Sequence, residues 1–181
     1  METLRSLLLA LRARGPLDRS HAEMAALLGA VEAWPEDRPL LARPGGYTRT
    51  CVYGDDAFEI LLLNWDAGAF SALHDHGGQH CWMSVLRGQL RVDDYVRTDD
   101  GSVPGVAQVE ARGSRLLGPR DLDLRSGRFD LHRVVAGAER TISLHVYAGP
   151  LRSFLVYEDA VQRCYSVSGS YDGVLSAIAF A

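Results

Sequence analysis

Three histidines and a cysteine lie close together in the segment "HDHGGQHC", at positions His74, His76, His80 and Cys81. The whole chain contains only 6 histidines, so this segment holds an unusual share of them. Imidazole nitrogens and thiolates are the groups with which proteins bind zinc, iron and copper. The cluster therefore predicts a metal site, provided that other elements bring the missing ligands to it.

Within this cluster, His74 and His76 are separated by one residue, Asp75. Successive side chains of a strand point to opposite faces, so the two imidazoles share a face and Asp75 points away. A third ligand must come from elsewhere in the chain. His132 lies in the extended apolar stretch "FDLHRVV", and three facing imidazoles would leave open positions for catalysis. The candidates for the third position are His80, His132 and His145.

The first 44 residues have the pattern of helices. Leucines recur there at helical spacing, and "SHAE" is typical of a capping box between Ser20 and Glu23 that begins a second helix. That helix is expected to continue toward Trp34 and Pro35, and "PEDRPLLARPGG" is expected to be a connector. The leucines of the first helix are Leu4, Leu7, Leu8 and Leu11.

From about residue 45 onward the pattern changes to short strands and turns. Segments such as "YTRTCVY" and "FEILLLNW" are extended, and "HCWMSVL" and "QLRVDDYV" flank "RG" as in a hairpin. Further strands are expected near 106–111, 129–135, 140–147 and 153–157. We predict one mainly β domain over residues 1–181, an antiparallel sandwich or small barrel preceded by helices. The apolar tail "GVLSAIAF" is expected to pack on the barrel.

Composition excludes several classes of protein. The 181 residues carry a net charge of −4 with both signs interspersed, so no basic stripe indicates nucleic-acid binding. The apolar runs are too short to span a bilayer. An odd count of 3 cysteines, Cys51, Cys81 and Cys164, has no disulfide spacing and predicts a reducing cytoplasm.

The spacing around the histidines resembles the first signature of the cupin barrels. Gly68, His74, His76, Cys81 and Gly88 follow one another with 5, 1, 4 and 6 residues between them. Most cupins place a metal-binding glutamate where this chain has Cys81. A cupin without that carboxylate resembles the thiol dioxygenases, which use three histidines.

The resemblance extends over more than half of the chain, from Tyr47 to Pro150. The segments "GGYTRT", "LNWDAGAFSALHDH", "HCWMSVLRGQL", "LHRV" and "SLHVYAGP" resemble those of the cysteine dioxygenase family, in the same order. This resemblance implies a cupin barrel with N-terminal helices that acts as a monomer. It also implies iron(II) as the cofactor, held by His74, His76 and His132.

Further roles follow from the same resemblance. Arg49 would bind the substrate carboxylate, as a planar guanidinium does well, and Tyr47 would help to position Arg49 or the substrate. Ser143, His145 and Tyr147 would form a relay behind the iron, in which His145 orients the Tyr147 hydroxyl. Trp65 would pack against this relay, and Cys81 could become joined to Tyr147 by a thioether bond.

The implied reaction is the oxidation of L-cysteine by dioxygen to cysteine sulfinic acid, a step of cysteine catabolism. Ala148-Gly149-Pro150 stands where the family usually has Ser-Pro-Pro, which makes a cis bond before residue 149 doubtful. The same segment leans toward dioxygenases of 3-mercaptopropionate, whereas Arg49 favours cysteine. A noncatalytic metal-binding cupin that acts as a sensor is the alternative from another class.

Structural interpretations also exist for the same residues. Cys81 could be a small buried apolar side chain, and Arg49 could pair with a structural acid instead of a substrate. His80 is expected to lie behind the metal site or on the surface, not among the ligands. Cys51 and Cys164 are expected to be structural thiols.

Overall fold

The computed structural model describes residues 4–32, 43–127 and 129–175. Helices occupy Leu4–Ala13 (α1) and His21–Gly29 (α2). The strands are Tyr47–Gly54 (β1), Glu59–Trp65 (β2), Leu73–His74 (β3), Cys81–Arg87 (β4), Leu90–Arg97 (β5), Val109–Leu117 (β6), Leu122–Arg125 (β7), Asp130–Ala136 (β8), Thr141–Tyr147 (β9), Ser153–Glu158 (β10), Arg163–Ser168 (β11) and Gly173–Val174 (β12).

These strands form two six-stranded sheets. The first has the order β12-β1-β2-β9-β4-β7 and the second the order β11-β10-β3-β8-β5-β6. Within the described residues all pairings are antiparallel except that of β12 with β1. The inner faces of the sheets share one apolar cluster, to which Leu61 and Met83 contribute from the first sheet and Val92 and Val134 from the second. The fold is a mainly β cupin barrel with N-terminal helices, as predicted.

Both helices pack on the outer face of the first sheet. Leu7 and Leu11 of α1 and Leu28 of α2 join Ile60 and Val146 in one buried cluster. Because the opposite face of this sheet lines the barrel, every residue of β2 is buried. This two-sided burial explains why Ile60, Leu61, Leu62 and Leu63 form an apolar run that does not alternate with polar residues.

The capping box at the start of α2 is confirmed. The Ser20 hydroxyl accepts a hydrogen bond from the Glu23 backbone, and the Glu23 carboxylate accepts one from the Ser20 N–H at 2.7 Å. The helix ends at Gly29, earlier than expected. Trp34, Pro35 and most of the predicted connector lie outside the described residues.

The predicted hairpin at "RG" is wrong, because β4 and β5 belong to different sheets. Gly88 has a φ of 77°, and a Cβ atom there would lie 2.3 Å from Oγ1 of Thr141. The turn therefore carries the chain across the corner of the barrel against the start of β9. A glycine between two strands is equally typical of a hairpin, so the sequence pattern does not separate these two connections.

The segment after β11 is only partly described. Gly173 and Val174 pair with Thr50 and Cys51 of β1, so this part of the predicted apolar tail does pack on the barrel. The remaining residues, 176–181, lie outside the described part of the chain. Strands β7, β11 and β12 were not predicted from the sequence.

None of the described helices combines the length and the apolar character that crossing a membrane requires.

Candidate metal centre

The three predicted histidines converge inside the barrel. His74 on β3 lies directly opposite His132 on β8, and His76 follows two residues after His74. One possible ligand nitrogen from each ring lies within 4.8 Å of the other two. The ring centroids of His74 and His132 are 4.7 Å apart, and those of His76 and His132 are 4.9 Å apart. Among the described residues this is the one group of histidines, cysteines and acids able to hold a metal ion.

Hydrogen bonds orient two of the three rings. Nδ1 of His74 lies 2.8 Å from the backbone oxygen of Ala72, and Nδ1 of His132 lies 3.2 Å from Oδ2 of Asp123. Both partners are acceptors, so Nδ1 carries the proton and the lone pair of Nε2 is free to bind a metal. Nδ1 of His76 is buried and has no hydrogen-bond partner.

Asp75 fixes the loop that carries His76. Its Oδ1 accepts hydrogen bonds from the backbone of Leu155 at 2.8 Å and of Gly77 at 3.0 Å. Its Oδ2 accepts one from the Tyr157 hydroxyl at 2.9 Å. Asp75 thus points away from the histidines, as strand alternation predicted, and it ties them to β10.

Burial keeps the imidazoles neutral. It lowers the pKa of His74 to about 3, and the neighbouring His132 adds to this shift. Burial likewise lowers the pKa of His76 and of His132, although the hydrogen bond to Asp123 partly opposes the shift in His132. Neutral imidazoles are the form that binds metals, so the site is ready to do so at neutral pH.

The histidines line a cavity of about 200 Å³ that also contains Arg49. Nη2 of Arg49 is buried and has no hydrogen-bond partner. Among the described residues no carboxylate forms an ion pair with it, which speaks against the structural alternative for Arg49. Residues on the same side include Tyr47 and Trp65, whose rings stack with their centroids 4.4 Å apart.

The backbone of Arg49 is held by a segment 123 residues further along the chain. Oδ2 of Asp172 accepts a hydrogen bond from the Arg49 N–H at 2.8 Å, and the Asp172 N–H donates to the Arg49 oxygen at 2.8 Å. The guanidinium carbon also lies 6.0 Å from the centre of the Tyr171 ring. The Tyr171 hydroxyl donates in turn to the buried Glu59.

A buried hydrogen-bonded chain runs from Trp65 to His145. Nε1 of Trp65 donates to the Ser143 hydroxyl at 2.9 Å, and this hydroxyl lies 2.9 Å from Nε2 of His145. Nδ1 of His145 has no partner. The prediction that His145 orients the Tyr147 hydroxyl is therefore wrong, because the two rings stack nearly parallel with centroids 6.1 Å apart and share no hydrogen bond.

Cys81 and Tyr147 face each other across neighbouring strands. They are direct partners in the β4–β9 ladder, and both are buried. Burial raises the pKa of the Cys81 thiol and of the Tyr147 hydroxyl. The Tyr147 ring also lies 5.9 Å from that of His76, so it reaches the metal side of the cavity.

Two further expectations concern residues beside the site. His80 lies outside the histidine group and stacks on Trp82 with centroids 5.6 Å apart, in agreement with its exclusion as a ligand. In the Ala148-Gly149-Pro150 segment Gly149 has a φ of 98°, and the described residues contain no cis peptide bond. Glycine thus makes the bend through a backbone angle that other residues rarely adopt.

Sequence reasoning missed the ionic network behind His132. Asp123 and Arg125 on β7 are buried, and Arg125 binds both oxygens of Asp123 at 2.8 Å. Burial raises the pKa of Asp123, but its hydrogen bonds to His132 and Arg125 outweigh this effect, and the pKa lies well below its ordinary value. The alternating polar residues of "DLDLR" were the available signal, but they are equally typical of an exposed strand.

Comparison with known proteins identifies relatives over most of the chain. The family model for "Cysteine dioxygenase type I" matches residues 19–160. Cysteine dioxygenase type 1 of Danio rerio is 29% identical over 141 residues, which cover 75% of this chain and 69% of that protein. The Homo sapiens protein of the same name is 30% identical over 133 residues, or 71% of this chain and 64% of that protein. The chain thus spans about two thirds of the length of these relatives.

Solved structures with partial backbone similarity to this chain include two bacterial proteins. TT1209 from Thermus thermophilus gives a TM-score of 0.49 at 18% identity, covering 66% of this chain and 98% of that one. KdgF from Halomonas sp. gives a TM-score of 0.48 at 16% identity, covering 67% of this chain and 94% of that one.

Proposed function

This chain belongs to the cysteine dioxygenase type I family, and we propose that it oxidises L-cysteine with dioxygen to cysteine sulfinic acid at a mononuclear iron(II) centre. One observation carries the proposal. A buried guanidinium nitrogen of Arg49 without a partner shares a small cavity with three converging neutral histidines. A metal and an anionic group are the two ligands that would complete this cavity.

The histidine group fits iron(II). Three imidazoles from His74, His76 and His132 form one face, and no carboxylate belongs to the described group, so a divalent ion would keep its full charge. Iron, when bound, supplies the oxygen chemistry. The protein supplies the three nitrogens and holds two of the rings by their Nδ1 atoms. Zinc binds such nitrogen sites more tightly than iron(II), so the purified protein must be loaded with iron before assay.

Arg49 supports a substrate that carries a carboxylate. A guanidinium forms a planar pair of hydrogen bonds with a carboxylate, and the buried Nη2 has none inside the protein. The cavity of about 200 Å³ is smaller than the roughly 300–1,000 Å³ typical of drug-sized ligands. A small thiol acid therefore suits it, with its carboxylate on Arg49 and its thiol toward the histidines.

The protonation states of Tyr147 and His145, which also line the cavity, follow from their burial. Burial raises the pKa of Tyr147, so its hydroxyl stays protonated at neutral pH and can donate a hydrogen bond. Burial lowers the pKa of His145 to about 3, so this ring is neutral at neutral pH. The Trp65–Ser143–His145 chain holds the ring in place.

A thioether between Cys81 and Tyr147 is part of the proposal. Their register across β4 and β9 and the burial of both side chains support it. Forming the bond breaks the S–H bond of Cys81 and one ring C–H bond of Tyr147, and joins sulfur to carbon. The two electrons and two protons pass to dioxygen, the oxidant of the proposed reaction.

A dioxygenase acting on 3-mercaptopropionate is the second candidate. Of the described residues that line the cavity, none is acidic, so no side chain there would pair with the ammonium group of cysteine. A thiol acid without an amine would lose no protein contact. The glycine bend at Gly149 is in keeping with this alternative.

We also propose that the chain is one cupin domain and that it works in the cytoplasm as a monomer. Three cysteines, Cys51, Cys81 and Cys164, are free and buried, which is compatible with a reducing compartment.

The test is oxygen uptake by the iron(II)-loaded protein with three thiols. We expect uptake with cysteine, with cysteine sulfinic acid as the product by mass spectrometry, and weak uptake with cysteamine, which lacks the carboxylate. Faster turnover of 3-mercaptopropionate than of cysteine would favour the second candidate. An iron-loaded, folded protein that consumes no oxygen with any thiol acid would contradict both and favour a noncatalytic cupin.

A further inference from the structure

The three histidines of the metal centre differ in what holds their Nδ1 atoms. His74 is bonded to a neutral backbone oxygen, His132 to the carboxylate of Asp123, and His76 has no partner. A carboxylate that is hydrogen-bonded to the Nδ1–H of a metal-binding imidazole makes the ring a stronger electron donor to the metal and fixes its orientation. His132 therefore differs chemically from the other two.

Asp123 reaches His132 from the opposite sheet. It lies on β7 at the edge of the first sheet, opposite Met83 of β4, whereas His132 lies on β8 in the second sheet. Only 1% of the Asp123 side chain is exposed. A carboxylate is rarely buried so fully unless charged partners compensate for the loss of water, so its surroundings must hold it.

Two arginines hold Asp123 in place. Arg125 binds both of its oxygens, and Arg115 binds Oδ1. Arg125 is itself held by Asp94 on β5 and by Asp130 on β8. The carboxylate cannot turn away from His132 without breaking several charged hydrogen bonds.

The charges of this network favour a cation at the histidines. Three carboxylates, those of Asp94, Asp123 and Asp130, face two guanidiniums, those of Arg115 and Arg125. One negative charge therefore remains uncompensated within the network. Of the three carboxylates, that of Asp123 is the one in contact with a histidine, because its Oδ2 lies 3.2 Å from Nδ1 of His132.

We propose that Asp123, held in place by Arg125, is the positioning residue for His132. Its carboxylate makes His132 the strongest electron donor to the metal among the three imidazoles. The metal-binding part of this inference stands on the geometry alone, and its effect on turnover rests on the proposed function. Loss of the carboxylate weakens metal binding and favours the reduced over the oxidised ion, because less negative charge remains to stabilise the higher oxidation state.

The experiment compares the parent protein with Asp123→Asn, Asp123→Ala and Asp123→Glu. The readouts are the dissociation constant for iron(II), by competition with a chelator, and the midpoint potential of the bound iron, both without thiol. We expect Asp123→Asn and Asp123→Ala to weaken iron binding by about 10- to 100-fold. We also expect a more positive potential in both, and partial recovery in Asp123→Glu, which keeps the charge.

The control breaks the ion pair of another buried arginine. Asp99 binds Arg97 at 2.7 Å, and the Arg97 side chain is 4% exposed, but Asp99 contacts none of the histidines. Asp99→Asn should lower thermal stability and leave iron affinity and potential at the parent values.

Two results would overturn the proposal. One is a folded Asp123→Asn protein with the parent iron affinity and potential. The other is an equal loss of iron affinity in Asp99→Asn, which would reduce Asp123 to a general structural role. Should Asp123→Ala fail to fold, the nearly isosteric asparagine variant still decides the question. Because no thiol is present, a protein inactive toward thiols would contradict the proposed function without affecting this test.

Discussion

The two sides of the cavity are built in opposite ways. On the histidine side, which comprises His74, His76 and His132, two of the three rings are bonded to groups of the protein itself. On the arginine side, which comprises Tyr47, Arg49 and Trp65, the buried Nη2 of the guanidinium has no partner. An unsatisfied buried donor costs about 1–3 kcal/mol, so an acceptor group that enters the cavity would be stabilised on this side.

Because of this difference, the histidine side is suited to metal binding and the arginine side to substrate binding. On the histidine side the hydrogen bonds of His74 and His132 set the directions of two lone pairs before any ion arrives, which suits a site for a resident metal. The arginine side presents donors that wait for an acceptor, which is what a site for an exchanging substrate requires. Substitutions on the two sides should therefore affect different measurements.

The largest effect is expected on the histidine side. His132→Ala removes one of three ligands and should lower metal affinity by more than the roughly 100-fold that loss of an outer hydrogen-bond partner can cost. Metal content after dialysis and oxygen uptake would measure this loss. His80→Ala is the control, since His80 stacks on Trp82 outside the group. Full metal retention in His132→Ala would contradict the assignment of the site.

Arg49→Ala tests the arginine side. Removing a buried charged partner costs about 2–5 kcal/mol, so the KM for cysteine should rise strongly while iron affinity stays at the parent value. The rates with cysteamine should change little, because cysteamine has no carboxylate to lose contact with. Steady-state oxygen consumption with both thiols checks this, and an unchanged KM for cysteine would remove Arg49 from the substrate site.

Acid should destabilise the metal-free protein. Burial lowers the pKa of His145 and of His74 from 6.5 to about 3, so the unfolded chain binds protons more readily than the folded one between these values. The free energy of unfolding should therefore fall as pH drops below about 6.5, by about 1.4 kcal/mol per pH unit for each such histidine. Urea unfolding at pH 7, 6 and 5 measures this, and a flat profile would contradict the burial of neutral rings.

The smallest effect is expected at the Cys81–Tyr147 pair, which belongs to neither side. Cys81→Ser prevents the thioether and should lower kcat by less than about tenfold, or about 1.4 kcal/mol of barrier. Intact mass and peptide mapping after turnover should show the loss of two hydrogens and a joined peptide in the parent and in the Cys164→Ser control. Separate peptides with a free thiol at Cys81 would rule out the bond.

What the sequence predicts depends on how local the pattern is. The pair His74 and His76 is visible because strand alternation acts over two residues, and the resemblance selected His132 from three candidates and added Arg49. Asp123 was missed because its contact with His132 depends on the packing of two sheets, which no short pattern encodes. The hairpin error at Gly88 has the same origin, since one glycine serves a tight turn and a barrel corner alike.

The segment that leads into β12 holds the backbone of Arg49, the residue proposed to bind the substrate carboxylate. Its residue Asp172 fixes the backbone of Arg49, yet it lies after residues 19–160, the stretch shared with the family. Under the proposed function, substitutions in this late segment would move Arg49 and change substrate binding without touching an imidazole.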